Sequence, residues 1–294
     1  MLALQTHRDV SRMTLLKRTG AIERTVSTPG AYLSVRAAAD GSALLFSRLR
    51  PELGTFAIWT TTLARGSETP LTHEPGMETG EVWLPGMKSI VLAAARGGPP
   101  NLFVRDLTSS KDRPLAQSTR FHFATDISPD GKIVAFQQRT ERGNWDLMQV
   151  RIDDAGKVQP IFDTPASESD LRFAPTAGRI AFVSDESGRP EVYVASFPVT
   201  SARTMVSSGG GLAPRWRRDG RELYYMSLSS TLMVVPVDAD GRSGNPMPLF
   251  AAPRWSNFDV MDNGARFVAI VRESVAYEQP LTVLLNWRQV IGTQ

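Results

Sequence analysis

The chain has 294 residues, of which 41% are hydrophobic and 21% are charged, a balance that is ordinary for a soluble globular protein. Its formal net charge of +3 comes from arginines spread along the whole chain, and without a basic cluster a nucleic-acid partner is not expected. Cysteine is absent, which excludes disulfides, cysteine-ligated zinc and a thiol nucleophile. The histidines His7, His73 and His122 have no metal-ligand spacing, so we expect no cofactor.

The N-terminal residues 1–20 include basic side chains but no apolar core of the kind found in a secretory signal. No run of about eighteen apolar residues occurs, so no membrane span is expected. We therefore expect a cytoplasmic protein if the chain is complete, and a periplasmic or extracellular domain if it is a fragment of a membrane receptor.

A tight turn followed by a short apolar run recurs six times along the chain. The clearest copy is Ser-Pro-Asp-Gly-Lys at 128–132, followed by Ile-Val-Ala-Phe at 133–136. Aligning the copies on this turn gives a turn column at positions 41, 87, 131, 177, 220 and 264, with intervals of 46, 44, 46, 43 and 44 residues. Repeats of roughly 40–45 residues with four short strands each are the signature of a β-propeller, so the sequence predicts six blades.

The elements of each repeat follow in a fixed order. Pro-Asp-Gly or Asp-Gly builds the turn, because proline presets φ and glycine accepts a positive φ. The apolar run after the turn is predicted to be a buried second strand. Third strands are expected at 56–59, 102–104, 146–148, 192–194 and 232–235. A more polar fourth strand follows, for example at 158–162, and no segment has a sustained helical period, so almost no helix is expected.

The two ends of the chain are expected to share the last blade. Arg-Thr-Val-Ser at 24–27 resembles Arg-Thr-Met-Val-Ser at 203–207, which is predicted to be the fourth strand of a blade. Since no blade precedes the earlier copy, it should complete the last blade, whose other strands come from 257–287. This closure removes an open sheet edge. Residues 14–18 and 281–285 are alternative candidates for one further strand of that blade.

Two columns of the predicted innermost strands should point to opposite faces, because side chains alternate along a strand. Four residues before the turn column every residue is apolar, and these side chains should pack between neighbouring blades: Ala37, Trp83, Ile127, Phe173, Trp216 and Val260. Five residues before it, five of the six residues are charged: Arg36, Val82, Asp126, Arg172, Arg215 and Asp259. The sequence therefore predicts a polar central channel whose candidate binding residues are Arg36, Glu81, Asp126, Arg172, Arg215 and Asp259.

Two interpretations of these channel residues remain open. Charges of mixed sign on a solvated wall can keep the channel hydrated and pair with one another. Alternatively, the same residues form a site for a ligand or peptide at the channel mouth, a common location in propellers. Three arginines against two aspartates would then favour an anionic group.

No catalytic constellation is recognisable in the sequence. His-Arg-Asp at 7–9 matches the catalytic loop of protein kinases, but Thr14 stands where that loop needs an asparagine. No G-x-S-x-G nucleophile elbow exists, and Gly-Gly-Gly at 209–211 lacks the following Lys-Ser/Thr of a phosphate loop. We therefore expect a protein that is not an enzyme.

Three segments resemble the WD-like repeats of TolB-like propellers: the Ser-Pro-Asp-Gly-Lys element, residues 182–189 and residues 214–225. The ending at 280–287 resembles the C-terminus of the propeller that follows the kinase domain in many bacterial serine/threonine kinases. The resemblance covers about residues 14–291 and leaves an N-terminal tail at 1–13. It implies a single all-β, six-bladed propeller with four-stranded antiparallel blades, closed by the N-terminal strand.

The resemblance implies a non-catalytic, monomeric binding or scaffold module for a protein or peptide partner, such as the sensor part of a kinase-like receptor. Kinase activity does not carry over, because the kinase segments are missing. The alternatives are a propeller that gates the substrate of an oligopeptidase-type hydrolase, or a lactonase-like propeller with a channel metal held by Asp126, Asp259 and Glu81. The turns at 86–87 and 176–177 depart from the family's Asp-Gly pattern, which leaves their geometry open.

Overall fold

The structure is a computed structural model that describes residues 10–176, 178–200 and 203–273, together with the strands Leu2–Ala3 and Val283–Leu284. The kinase-like triplet at 7–9, position 177 of the turn column and most of the ending at 280–287 lie outside the described residues.

Twenty-four of the strands form six four-stranded antiparallel sheets, the blades. In chain order the strands are β1 Leu2–Ala3, β2 Ser11–Lys17, β3 Ile22–Thr25, β4 Tyr32–Ala37, β5 Ala43–Arg50, β6 Thr55–Thr62, β7 Glu68–Pro70, β8 Glu78–Trp83, β9 Ser89–Ala94, β10 Asn101–Asp106, β11 Lys111–Ala116, β12 His122–Ile127, β13 Ile133–Arg139, β14 Trp145–Arg151, β15 Val158–Pro160, β16 Glu168–Phe173, β17 Arg179–Ser184, β18 Glu191–Ser196, β19 Thr204–Met205, β20 Gly211–Trp216, β21 Glu222–Ser227, β22 Thr231–Pro236, β23 Met247–Ala251, β24 Trp255–Met261, β25 Arg266–Arg272 and β26 Val283–Leu284.

Blades 1 to 5 each take four consecutive strands from β4 to β23, and blade 6 combines β24 and β25 with β2 and β3. Within the described residues the only helical element is a 3₁₀ turn at Asp262–Gly264, and no helix has the length and apolar character needed to cross a membrane. The predicted fold class, an all-β propeller of six four-stranded blades, is confirmed.

The N-terminal strands close the ring. Strand β2 pairs along its whole length with β25, with Thr14 opposite Ala269, and β3 pairs with the other edge of β2. Strand β26 instead pairs with β1 in a separate two-stranded sheet. The third place in blade 6 therefore belongs to Ser11–Lys17, which decides between the two candidates that the sequence left open.

The turn between the first and second strands keeps its geometry where the sequence pattern breaks. At Gly131, φ is 73° and the N–H donates to the carbonyl of Ser128 at 2.8 Å. In blade 2, Met87 takes the equivalent place with a φ of 54°, and its N–H donates to the carbonyl of Leu84 at 3.0 Å. The left-handed conformation that glycine adopts freely is thus imposed on a methionine by the surrounding blade.

The hydrophobic core is divided among the junctions between blades. Six clusters of buried side chains occur in the described residues, and each joins one pair of neighbouring blades. The apolar column four residues before the turn column contributes one member to, or packs one member against, each cluster, as predicted. Full burial of one such large side chain is worth about 1.5–3 kcal/mol, so the ring is held together mainly across its blade junctions.

Candidate functional site in the central channel

The first strands of the six blades line a channel through the ring. The channel has a turn face, where the first and second strands of each blade are joined, and a crossover face, where the chain passes to the next blade. A cavity of about 240 Å³ opens toward the turn face and one of about 270 Å³ toward the crossover face. Each cavity is lined by residues of all six inner strands, and both share the same three arginines: Arg36, Arg172 and Arg215. We call these three residues the arginine cluster.

Every inner strand has a register shift of the β-bulge kind in its pairing with the second strand of its blade. In three of the blades the bulge holds a residue with positive φ: Gly80 at 61°, Asp170 at 54° and Ala213 at 52°. A bulge inserts one extra residue and changes the direction of the following side chains. These bulges therefore set the positions at which Arg172 and Arg215, two residues after Asp170 and Ala213, enter the channel.

The channel carboxylates of Asp126 and Asp259 link neighbouring blades. Asp126 in blade 3 accepts the backbone N–H of Phe173 in blade 4 at 2.8 Å, and Asp259 in blade 6 accepts that of Ala37 in blade 1 at 2.9 Å. Burial raises the pKa of Asp126, while the guanidinium groups of Arg172 and Arg36 oppose this shift. These two carboxylates satisfy backbone donors at the blade junctions, which is a structural role.

Glu81 lies at the junction between blades 1 and 2. Its two carboxylate oxygens accept the hydroxyl groups of Ser34 and Ser47, each at 2.5 Å, and the side chain is almost wholly buried. Burial raises the pKa of Glu81, and the two hydroxyl groups act against that increase. Glu81 lines the crossover cavity, but both of its oxygens are already occupied by blade 1.

Arg36 and Arg172 meet at one acceptor. Both guanidinium groups donate to the backbone carbonyl of Thr125, although Arg36 comes from blade 1 and Arg172 from blade 4. Arg172 also donates to the carbonyl of Leu171 at 2.9 Å and to the carboxylate of Asp170 at 3.2 Å. Burial lowers the pKa of Arg172 well below its usual value, and the neighbouring positive charges of Arg215 and Arg36 add to this effect.

Arg215 completes the cluster from blade 5. Its guanidinium donates to the carbonyl of Phe258 at 3.1 Å and to that of Pro214 at 2.8 Å, and it lies 3.8 Å from the carboxylate of Asp259. Burial lowers the pKa of Arg215, and the charge of Arg36 lowers it further. Three like charges are therefore held close together in the channel.

The structure thus places all six sequence-predicted residues at the channel wall and divides them into two groups. Asp126, Asp259 and Glu81 are used within the ring, whereas the arginines keep N–H groups available. Among the described residues, no group of three acidic, histidine or cysteine side chains could hold a metal ion, so the three carboxylates do not converge as a channel-metal site would require.

Sequence reasoning missed the surroundings of the arginine cluster on the crossover face. Asp170 lines this cavity with 40% of its side chain exposed. Leu33 and Phe123 line it as well, and Phe121 stacks on Phe123 with 6.5 Å between ring centroids. Leu33 is 42% exposed and Phe121 is 48% exposed. We call Leu33, Phe121 and Phe123 the apolar rim. In the sequence, their only signal is that apolar residues stand at or just before the start of two predicted inner strands.

Comparison with known proteins agrees with this architecture. No family model matches the sequence. TolB from Agrobacterium tumefaciens is 17% identical and superposes with a TM-score of 0.74, over 90% of this chain and 99% of that one. The chain has the fold of a TolB propeller. TolB from Acinetobacter baumannii is 16% identical, with a TM-score of 0.65 over 90% of this chain and 65% of that chain.

The same TolB-like fold occurs in proteins with other activities. A puromycin-hydrolyzing peptidase from Mycobacterium tuberculosis is 20% identical, with a TM-score of 0.57 over 76% of this chain and 38% of that one. An oligogalacturonate lyase in complex with manganese is 16% identical, with a TM-score of 0.56 over 90% of this chain and 75% of that one. At these identities the likeness shows the fold alone, so the function has to be argued from the site.

Proposed function

We propose that this TolB-like propeller is a non-catalytic binding module that takes a peptide segment of a protein partner at the crossover face of its channel. The observation that carries the proposal is the arginine cluster, which lines a cavity of about 270 Å³ directly behind the exposed apolar rim. Apolar contact area combined with a few convergent polar groups is the usual composition of a binding pocket.

The hydrogen bonds of the channel carboxylates support binding over acid–base catalysis. A general acid or base must reach the substrate proton directly or through one water molecule. Asp126 and Asp259 instead accept backbone N–H groups of the next blade, and both oxygens of Glu81 accept serine hydroxyl groups. The positive charges, which are suited to holding a ligand in place, remain directed at the cavity.

The proposal is tested by selecting peptides from a random displayed library against the purified ring and measuring their affinities. The variant Leu33→Ser with Phe121→Ser removes the two exposed members of the apolar rim and leaves the partly buried Phe123 in place. The matched control is Ile22→Ser with Met247→Ser, which changes two exposed apolar residues on the outermost strands of blades 6 and 5. Thermal unfolding of each variant confirms that the ring is intact.

We expect the rim variant to bind the selected peptides about tenfold or more weakly, because two large apolar contacts are worth about 1.5–3 kcal/mol each when fully buried. The control should bind like the wild type. Equal affinity of the rim variant and the wild type, or loss of affinity in the control alone, would contradict binding at the crossover face.

A further inference from the structure

The arginine cluster has more hydrogen-bond donors than the ring has acceptors for them. A guanidinium carries five N–H groups. In the part of the chain that the structure describes, Nε of Arg172 is buried without any partner, and Arg36 has one hydrogen bond, to the carbonyl of Thr125. Arg172 is only 5% exposed and Arg215 only 3%, so bulk water does not readily compensate these donors. A buried donor without a partner destabilises the folded ring, because its lost hydration is not compensated.

The cluster also concentrates positive charge. Two of its guanidinium groups share one carbonyl oxygen, and the pKa values of Arg172 and Arg215 are lowered by burial and then by neighbouring arginines. An anion placed among the three side chains would accept the unused N–H groups and relieve the repulsion at the same time. The carboxylates of the ring fill this place only in part: Asp170 accepts from Arg172 at 3.2 Å and Asp259 lies 3.8 Å from Arg215, whereas Arg36 has no ion pair among the described residues. Asp126 and Asp259 also accept backbone N–H groups nearer the turn face.

The crossover face offers an exposed apolar approach to the cluster. Leu33 of the apolar rim lies three residues before Arg36 on the same strand, which corresponds to roughly 10 Å at about 3.3 Å per residue. An extended peptide of about three residues covers that distance. A peptide can therefore place an apolar side chain on the rim and, about three residues further along, a negative group at the arginine cluster.

We infer that the arginine cluster of Arg36, Arg172 and Arg215 binds a carboxylate of the incoming peptide, three residues away from an apolar side chain that contacts the rim. This inference rests on the proposed function and specifies the chemistry of its ligand. The guanidinium fork can hold either anion, but a carboxylate fits better than a phosphate because it carries a single charge beside the partly exposed Asp170. The carboxylate is a chain terminus or an aspartate or glutamate side chain.

Asp170 makes the sign of the ligand charge testable. Its carboxylate stands at the cavity and repels an incoming anion. The change Asp170→Asn removes that charge, keeps an oxygen that can accept from Arg172, and suits the positive φ of 54° because asparagine tolerates this conformation. The variant should therefore fold normally and bind a carboxylate more tightly, but would bind a cationic ligand more weakly.

The experiment measures fluorescence anisotropy of three fluorescein-labelled peptides with the intact chain. The first is Leu-Gly-Ala-Ala with a free C-terminal carboxylate, the second is its C-terminal amide, and the third is the amide of Leu-Gly-Ala-Asp. The variants are Asp170→Asn and Arg36→Gln, with Arg65→Gln as a matched control that removes an exposed positive charge. Sodium acetate and inorganic phosphate are compared as competitors.

We expect the free acid or the aspartate peptide to bind about tenfold or more tightly than the plain amide, as charge-assisted hydrogen bonds imply. Asp170→Asn should strengthen binding of the acid several-fold, Arg36→Gln should abolish the preference for it, and Arg65→Gln should change neither. Equal binding of acid and amide, weaker binding to Asp170→Asn, or displacement by phosphate in preference to acetate would overturn the inference. If library peptides bind at the rim without any dependence on a carboxylate, the inference fails while the proposed function stands; if none depends on the rim, the proposed function fails.

Discussion

At the scale of single residues, Glu81 shows how burial at a blade junction changes the pKa of a carboxyl group. Its carboxylate is buried between two blades and receives two serine hydroxyl groups, yet no arginine donates to it among the described residues. Burial destabilises the charged carboxylate more than the two hydroxyl groups stabilise it, so the pKa of Glu81 is raised. The charged form is tolerated in the folded ring only at a cost in stability.

The change Glu81→Gln should remove part of the pH dependence of stability. The folded pKa lies above the ordinary value of 4.5, so the folded state binds more protons than the unfolded chain across that interval. The contribution of Glu81 to the free energy of unfolding is therefore fully present below 4.5 and is lost as pH rises through the folded pKa. Urea unfolding between about pH 4 and 8 should show a steeper decline toward neutral pH in the wild type than in Glu81→Gln. Glu52→Gln, an exposed control, should parallel the wild type; parallel profiles for all three proteins would refute the assignment.

The residues of the candidate site were predictable as a column, but their separate roles were not. Their constant spacing from the turn predicted that Arg36, Asp126, Arg172 and the other members of the column lie at the channel wall. Whether a member bonds to the backbone of the next blade or keeps free N–H groups depends on contacts between distant repeats, such as Asp126 with Phe173. A single sequence without its fold does not contain those contacts.

At the scale of elements, most of the fold was predictable from the repeated turn. The turn marked where each second strand begins, and the apolar column beside it marked the blade junctions. The bulges at Gly80, Asp170 and Ala213 were not foreseen, because glycine alone among these residue types adopts a positive φ without steric cost. Tertiary packing imposes the conformation on the other two, and on Met87 as well.

The turn of blade 3 offers a direct test of this element. Gly131 has a φ of 73°, and a Cβ added there would approach Cγ of Pro85 to 2.9 Å. Gly131→Ala should therefore lower the free energy of unfolding by about 1–2 kcal/mol, measured by urea denaturation. Gly98→Ala is the control, because Gly98 has no positive φ and no neighbour within 4 Å of an added Cβ. It should stay within about 0.5 kcal/mol of the wild type, and equal effects at the two positions would contradict the account of the turn.

At the scale of the whole molecule, closure of the ring creates the site. The N-terminal strand Ser11–Lys17 pairs with β25 and buries Met13 and Leu15 at the junction between the last and first blades. Closure by these strands was predicted from the repeat at 24–27, whereas the choice of third strand required the structure. Only a closed ring brings arginines from blades 1, 4 and 5 to one point.

Peptide binding at the crossover face is measured most directly by site-specific photo-cross-linking of a selected peptide to the ring. A benzophenone amino acid replaces Phe121 on the crossover face or, in a second protein, Met247 on the outermost strand of blade 5. Both positions are exposed, so neither replacement disturbs the core. If the peptide binds at the crossover face, it cross-links at position 121, excess unlabelled peptide suppresses that cross-link, and no competed cross-link forms at 247. A competed cross-link at 247 with none at 121, for a peptide that binds the ring, would show that the partner does not use the channel.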